Sequence, residues 1–229
     1  QKICRIMDEA IKVKAPLICL NDSGGGRLHE GFFASKGVAG MFFRNTAASG
    51  VIPQISCIMG PCAGVSVYSP ALTDFIIMVE KQSQMVITGP KVIYDVTGET
   101  VNLEELGGAR VHSRITGQAH FVTKTDQESI ELIRYLLSFL PSNHDESPPS
   151  LPCDDDPERK NNTLTEIVPA EFKRAYDMHR VIVEVVDKNE FLEILPEFAP
   201  SIITGLARLD GDTVGIVANQ PSVMAGCLD

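Results

Sequence analysis

Within QKICRIMDEAIKV the apolar residues Ile3, Ile6, Met7, Ala10 and Ile11 recur three and four apart, which predicts an amphipathic helix. The period then changes. APLICL is a short unbroken apolar run that suits a strand buried on both faces, starting at Pro16 and Leu17, running to about Leu20 and leaving through an exit loop over 21–26. A helical segment is expected over 28–48. QISCIM, 54–59, repeats the strand signature before a second tight loop, GPCAG. VSVYSPALTD reads as a short helix stopped near Asp74, and FIIMV and MVIT as two further strands separated by EKQSQ. This alternation predicts right-handed crossovers and a largely parallel sheet of the α/β class.

Beyond TGP the chain is punctuated by glycine, with a helical turn at 103–106. Thr125 and Glu128 form a capping box for a helix whose apolar stripe is Ile130, Ile133, Leu136, Leu137 and Leu140, ended by Pro141. Apolar residues then thin out while proline and acid accumulate in PSNHDESPPSLPCDDDPERKNN, the signature of a linker. The organisation expected is therefore 1–141, a linker over 142–170, and 171–229. In the last region a helix is expected at 178–186, a second helical piece at NEFLEIL, and two strands around Asp210-Gly211, a strong hairpin signal.

Composition narrows the chemistry. A chain of 229 residues, 44% hydrophobic and 22% charged, can bury a sizeable core and reads as a soluble globular protein. No apolar run approaches the roughly 20 residues that span a bilayer, and the amphipathic start does not resemble a signal peptide. That start, at Gln1 inside a helical pattern, reads as the middle of something longer. A net charge of -10 argues against nucleic acid as a partner, so an anionic ligand would need backbone amides or a few arginines. Cys4, Cys19, Cys57, Cys62, Cys153 and Cys227 show neither CxxC nor Cys/His ligand spacing. They read as buried free thiols in a reducing compartment, and no metal site is expected.

The candidate chemistry sits in two loops at strand ends, NDSGGGR and GPCAGVS. Glycine allows backbone conformations and close approaches that other residues forbid, and the second loop is expected to open directly onto a helix with free N-terminal amides. Two such amides together make an oxyanion hole, which stabilises charge developing on a carbonyl oxygen. Other readings stay open here. Either loop suits an ordinary tight turn. NDSGGGR lacks the lysine and Ser/Thr of a P-loop and the GxGxxG spacing, and Ser23 and Ser66 are nucleophile candidates without a GxSxG frame or an assigned histidine base. CDDDPER lacks the alternating oxygen-ligand spacing of a calcium loop.

The runs KICRIMDEAIKVKAPLICLNDSGGGRLHEG and ASGVIPQISCIMGPCAGVSVYSPALTDFIIMV, followed by ITGP, EELGGARVHSRITGQAHF, FLPSN, DDDPER, YDM and GIVANQP, resemble the carboxyltransferase (beta) subunit of biotin-dependent acyl-CoA carboxylases, the propionyl-CoA carboxylase branch above all. The resemblance covers essentially the whole chain in order. It implies an α/β, crotonase-like fold, a ββα spiral incomplete at both ends. Residues 1–141 would be the latter part of the N-terminal carboxyltransferase domain, 142–170 the linker, and 171–229 the start of the C-terminal one. The implied activity moves a carboxyl group from carboxybiotin to the α-carbon of an acyl-CoA, propionyl-CoA favoured. Implied with it are biotin on a biotin carboxylase or carrier partner, a homo-oligomer, a hexamer by resemblance, and a bacterial cytoplasm or mitochondrial matrix location.

Residue by residue, the resemblance makes Gly64, Val65 and Ser66 the catalytic, donor-bearing positions, and Gly24, Gly25 and Ala63 the acyl-CoA-binding ones. The family pattern reads D-S-G-G-A-R and G-P-C-A-G-G-A at the two loops. Here Gly26 stands for alanine, Val65 for glycine and Ser66 for alanine. A decarboxylase or transcarboxylase of the same superfamily is the runner-up. A non-catalytic scaffold subunit is a further reading, favoured by the stiff, β-branched Val65.

Overall fold

A computed structural model of the chain describes residues 1–26, 32–156, 158–171 and 174–228. Contacts divide it into two compact units, Gln1–Tyr135 with Pro141–Ser147, and Leu136–Leu140 with Pro148–Asp229.

In the first unit the amphipathic start forms α1 (Lys2–Val13), which packs Met7 against Leu17, Ala48 and Ile52 and ends at Lys14 in a left-handed conformation. β1 (Leu17–Ser23), β2 (Gln54–Ala63), β3 (Phe75–Val79) and β5 (Phe121–Thr123) lie in the order β1-β2-β3-β5, all parallel. β2 is long enough to pair twice on that side. Ile55 to Ile58 face β3, whereas Pro61, Cys62 and Ala63 face β4 (Gln84–Val86). The centre of the sheet is the expected apolar core, with Ile55, Cys57, Ile58, Ile77, Met78 and Val79 fully buried.

The expectation that β1 is buried on both faces does not hold. β1 is the edge strand, and its pleat leaves Ile18 and Leu20 41% and 59% exposed while Leu17 faces the core. It also runs on to Ser23, into the expected exit loop.

α2 (Phe32–Ala48) carries the second helical pattern; positions 28–31 of that expectation lie outside the described residues. A buried polar cluster fixes this helix to the sheet. The Asn45 amide donates to Gln54 Oε1 (3.0 Å), Gln54 Nε2 donates to the Asn45 carbonyl (3.0 Å), and Ser69 Oγ donates to Asn45 Oδ1 (2.8 Å). Each group has a partner, so the cluster rigidifies rather than weakens the core.

VSVYSPALTD forms two 3₁₀ turns, Gly64–Val67 and Pro70–Leu72, in place of one short helix. Pro70 cannot donate a backbone hydrogen bond, which breaks a continuous helix there. The glycine-punctuated region holds α3 (Pro90–Thr97), α4 (Leu103–Gly107) and α5 (Ala109–Arg114), where the sequence pattern predicts a single turn. Pro90 opens α3 and Gly98 closes it at φ 76°, while Asn102 and Glu105 form a capping box on α4. α6 (Asp126–Leu137) starts as its motif predicts, with Thr125 Oγ1 accepting from the Glu128 amide (3.1 Å), although Glu128 reaches back to the Lys124 amide (2.8 Å) instead of Thr125.

The second unit holds α7 (Leu164–Ile167), α8 (Met178–Val185) and an antiparallel sheet of β6 (Phe191–Ile194), β7 (Ile202–Leu209) and β8 (Asp212–Asn219). The expected helical piece NEFLEIL is β6. Lys188 and Asn189 both take positive φ, which ends the helical path, and pairing of Leu192 with Leu206 then claims the segment as strand. The hairpin at Asp210-Gly211 forms as predicted, with φ of 53° and 79° at the two turn residues. Asp187 accepts from both their amides, at 3.1 and 2.7 Å. The expected burial of the thiols holds at Cys57 and Cys62 but not at Cys227, which is exposed. Among the described residues no helix is long and apolar enough to cross a membrane.

Candidate functional site

β1 and β2 run parallel side by side, so their exit loops leave the same end of the sheet, where ligands gather in α/β folds. The ladder breaks register at that point. Asn21 faces Ile58, but Ser23 faces Cys62, so β2 bulges between them. Gly60 lies within the bulge beneath Asp22, where a Cβ would come within 2.5 Å of the carboxylate.

The loops press against each other. Gly25, at φ 108°, has no room for a side chain, because a Cβ would stand 2.9 Å from the Ala63 carbonyl oxygen. Gly64, at φ 59°, begins the four-residue turn that presents the amides of Val65 and Ser66. The expected helix after this loop is therefore only one 3₁₀ turn. Its amides act as local donors, without the macrodipole of a longer helix.

Side chains also tie the loops together. Ser23 Oγ and Ser66 Oγ are 3.0 Å apart, the Gly25 amide donates to Ser23 Oγ (3.3 Å), and Cys62 Sγ donates to the Ser66 carbonyl (3.2 Å). Burial pushes the Cys62 thiol up to about 11, which keeps it a protonated donor and a poor nucleophile.

A hollow of about 760 Å³ opens above this junction. Gly24, Gly25, Ala63, Gly64 and Val65 form its floor, and Val38, Ala39 and Phe42 of α2 form an apolar wall. Ile87, Thr88 and Gly89, between β4 and α3, close a third side. Among the described lining residues no side chain is charged. Such a site can hold a polarised carbonyl by backbone amides beside a hydrocarbon surface.

The three described histidines in this unit are engaged elsewhere, His144 at the Val51 carbonyl (3.3 Å). His112 bonds Thr116 (2.9 Å) and the Met85 carbonyl (2.8 Å), and His120 Nδ1 accepts from the Ile76 amide (3.0 Å), with burial lowering its pKa. His29 lies outside the described residues.

Five of the six residues singled out in the sequence line the hollow, and Ser66 bonds to Ser23 beside it. Sequence reasoning misses the α2 wall and the third side. The third side did carry a signal: ITGP, like the other two loops, is a strand exit with glycine before a helix, here with Pro90 at the helix start.

Fold and junction together define a protein of the crotonase-like class, and its solved neighbours share that fold. The chain belongs to the carboxyl transferase domain family, whose model matches residues 1–229. It is 54% identical over 229 residues to the propionyl-CoA carboxylase carboxyltransferase subunit of Haloferax mediterranei, covering 100% of this chain and 44% of that one. It is also 54% identical over 228 residues to the methylmalonyl-CoA decarboxylase subunit alpha of Veillonella parvula, covering 100% and 45%. The mitochondrial propionyl-CoA carboxylase beta chain of Homo sapiens is 52% identical, with 100% and 42% covered.

Among solved structures, a hexameric transcarboxylase 12S with hydrolysed methylmalonyl-coenzyme A bound matches with a TM-score of 0.96 and 47% identity, over 100% of this chain and 45% of that one. A single-chain, multi-domain long-chain acyl-CoA carboxylase matches at 0.82 and 26%, over 100% and 22%. The chain thus spans less than half the length of the relatives it matches.

Proposed function

We propose that the chain is part of the carboxyltransferase component of a biotin-dependent acyl-CoA carboxylase, with propionyl-CoA the favoured acceptor and methylmalonyl-CoA the product. The observation that carries this reading is the pair of glycine loops meeting under an uncharged, partly apolar hollow. In this reading the thioester oxygen lies against the amides at Gly64, Val65 and Ser66, between Gly24, Gly25 and Ala63, and the acyl chain lies along Val38, Ala39 and Phe42. As the α-proton leaves, charge grows on that oxygen. Amides already in place stabilise the enolate more than the ground state, and this difference lowers the barrier. The first amides of a helical turn lack acceptors within the turn, which suits them to the task.

Carboxybiotin, brought by a biotin carboxylase or carrier partner, supplies the carboxyl group when bound. No described residue is assigned to it. In this reading 1–141 belongs to the first carboxyltransferase domain and 171–229 opens the second, in a homo-oligomer like the transcarboxylase hexamer, working in the cytoplasm or the mitochondrial matrix.

The Veillonella decarboxylase subunit is as similar as the Haloferax carboxylase subunit, so the reverse direction is the second reading. Full-length protein with its biotinylated partner, ATP, labelled bicarbonate and a panel of acyl-CoA thioesters decides between them. Label is expected in methylmalonyl-CoA. Carboxyl loss from methylmalonyl-CoA without any fixation would instead establish the decarboxylase.

Gly64→Pro, which removes a donor and cannot adopt φ 59°, is expected to lower turnover by about 100-fold or more in folded, assembled enzyme. Ser66→Ala should keep turnover within about tenfold, far short of the loss of a nucleophile. The opposite ranking would restore a serine-dependent mechanism.

A further inference from the structure

We infer that Ser23 and Ser66 form a positioning pair that sets the spacing of the two glycine loops; this rests on the acyl-CoA reading of the site. The backbone ladder between β1 and β2 ends at Ser23 and Cys62, after an irregular step. Beyond it, no strand pairing holds the Gly24–Gly25 backbone at a fixed distance from the Gly64–Val67 turn. The hydroxyls take over that task. Ser23 closes β1 and accepts from the Gly25 amide, which shapes its own loop, while its contact with Ser66 at 3.0 Å reaches the other loop. Ser66 is anchored in turn, because its carbonyl accepts from Cys62 at the buried end of β2. A continuous path thus runs from the sheet core through Cys62, Ser66 and Ser23 to Gly25.

Both serines are half-buried, so water competes poorly for the bond. Neither needs to touch the thioester. Their effect falls on amide placement, and small displacements of pre-placed donors are felt most in the transition state. Losing the pair should therefore lower kcat while sparing KM. Because the two hydroxyls act as one unit, removing the second after the first should cost little more.

The test compares Ser23→Ala, Ser66→Ala and the double variant in the full-length enzyme with its biotinylated partner and propionyl-CoA. Each single variant is expected to lose about five- to tenfold in kcat with KM within about twofold, and the double variant to match the singles. Hydrogen exchange in peptides covering 17–26 should quicken in all three, because Ser23→Ala removes the acceptor of the Gly25 amide and Ser66→Ala frees that acceptor to rotate away. Unchanged kcat, losses that multiply in the double variant, or unchanged exchange would overturn the inference. Should the wild-type enzyme neither carboxylate nor decarboxylate any acyl-CoA, the reading of the site falls. The exchange measurement then decides the pair alone, faster exchange supporting it and unchanged exchange overturning it.

Discussion

Gly24 and Gly25 are adjacent but meet opposite surroundings. Nothing lies within 4 Å of a Cβ built on Gly24, whereas Gly25 combines φ 108° with a 2.9 Å approach to the Ala63 oxygen. Gly25→Ala is expected to destabilise the protein by roughly 1–3 kcal/mol and Gly24→Ala by no more than about 0.5 kcal/mol, measured by chemical denaturation. Equal costs would mean that the loops are not pressed together. Gly26 stands close to Val65 as well. A Cβ on Gly26 would lie 3.1 Å from Val65 Cγ2, so the glycine at 26, where the family pattern has alanine, leaves room for the valine at 65, where the pattern has glycine. Glycines at strand exits are local signals, which is why these positions were legible in the sequence. Val38, Ala39 and Phe42 are ordinary apolar helix positions, and the Ser23–Ser66 bond joins residues 43 apart, so neither left a local mark.

α2 shows how an element can depend on one buried amide. Asn45 is fully buried and joins the helix to β2 through Gln54 and to the following turn through Ser69. Asn45→Ala takes the partner from Gln54 Oε1 and from the Ser69 hydroxyl, while Gln54 Nε2 keeps the backbone carbonyl at 45, and should cost about 2–4 kcal/mol by denaturation, with loosening of the apolar wall. A cost under about 0.5 kcal/mol would show that the cluster does not hold the helix. Elements with a strong period or a two-residue turn signal, such as α1 and the β7–β8 hairpin, followed from the sequence alone. β6 did not, because its state is decided by a partner strand and by positive φ at Lys188 and Asn189, neither of which a helical spacing reveals. The 3₁₀ turns after β2 escaped for a related reason: proline position, more than apolar pattern, sets their length.

Across the whole molecule, pH acts on the second unit through His179. Its ring bonds Asp177 and Glu193, each at 2.9 Å, and Gln220 donates to Asp177 at 2.7 Å. Burial opposes charge on His179, but the bonds to Glu193 and Asp177 together outweigh it and raise its pKa. Burial likewise raises the Asp177 pKa, and the bonds from Gln220 and His179 more than reverse that. The histidine's contribution is thus complete below its unfolded value near 6.5 and is lost as pH rises through its higher folded value. Asp177 contributes above its unfolded value near 3.8 and loses this as pH falls through its lower folded value. The stability gap between wild type and His179→Gln should therefore be widest near pH 5–6 and shrink by pH 8–9, as thermal melts across that range will show; a gap independent of pH would remove the ion pairs from the account. The edge position of β1 bears on how the molecule is handled. Among the described residues β1 has a sheet neighbour on one side only, and an open strand edge beside bare Ile18 and Leu20 is a template on which other chains can add strands as concentration rises. Its purification favours dilute solutions.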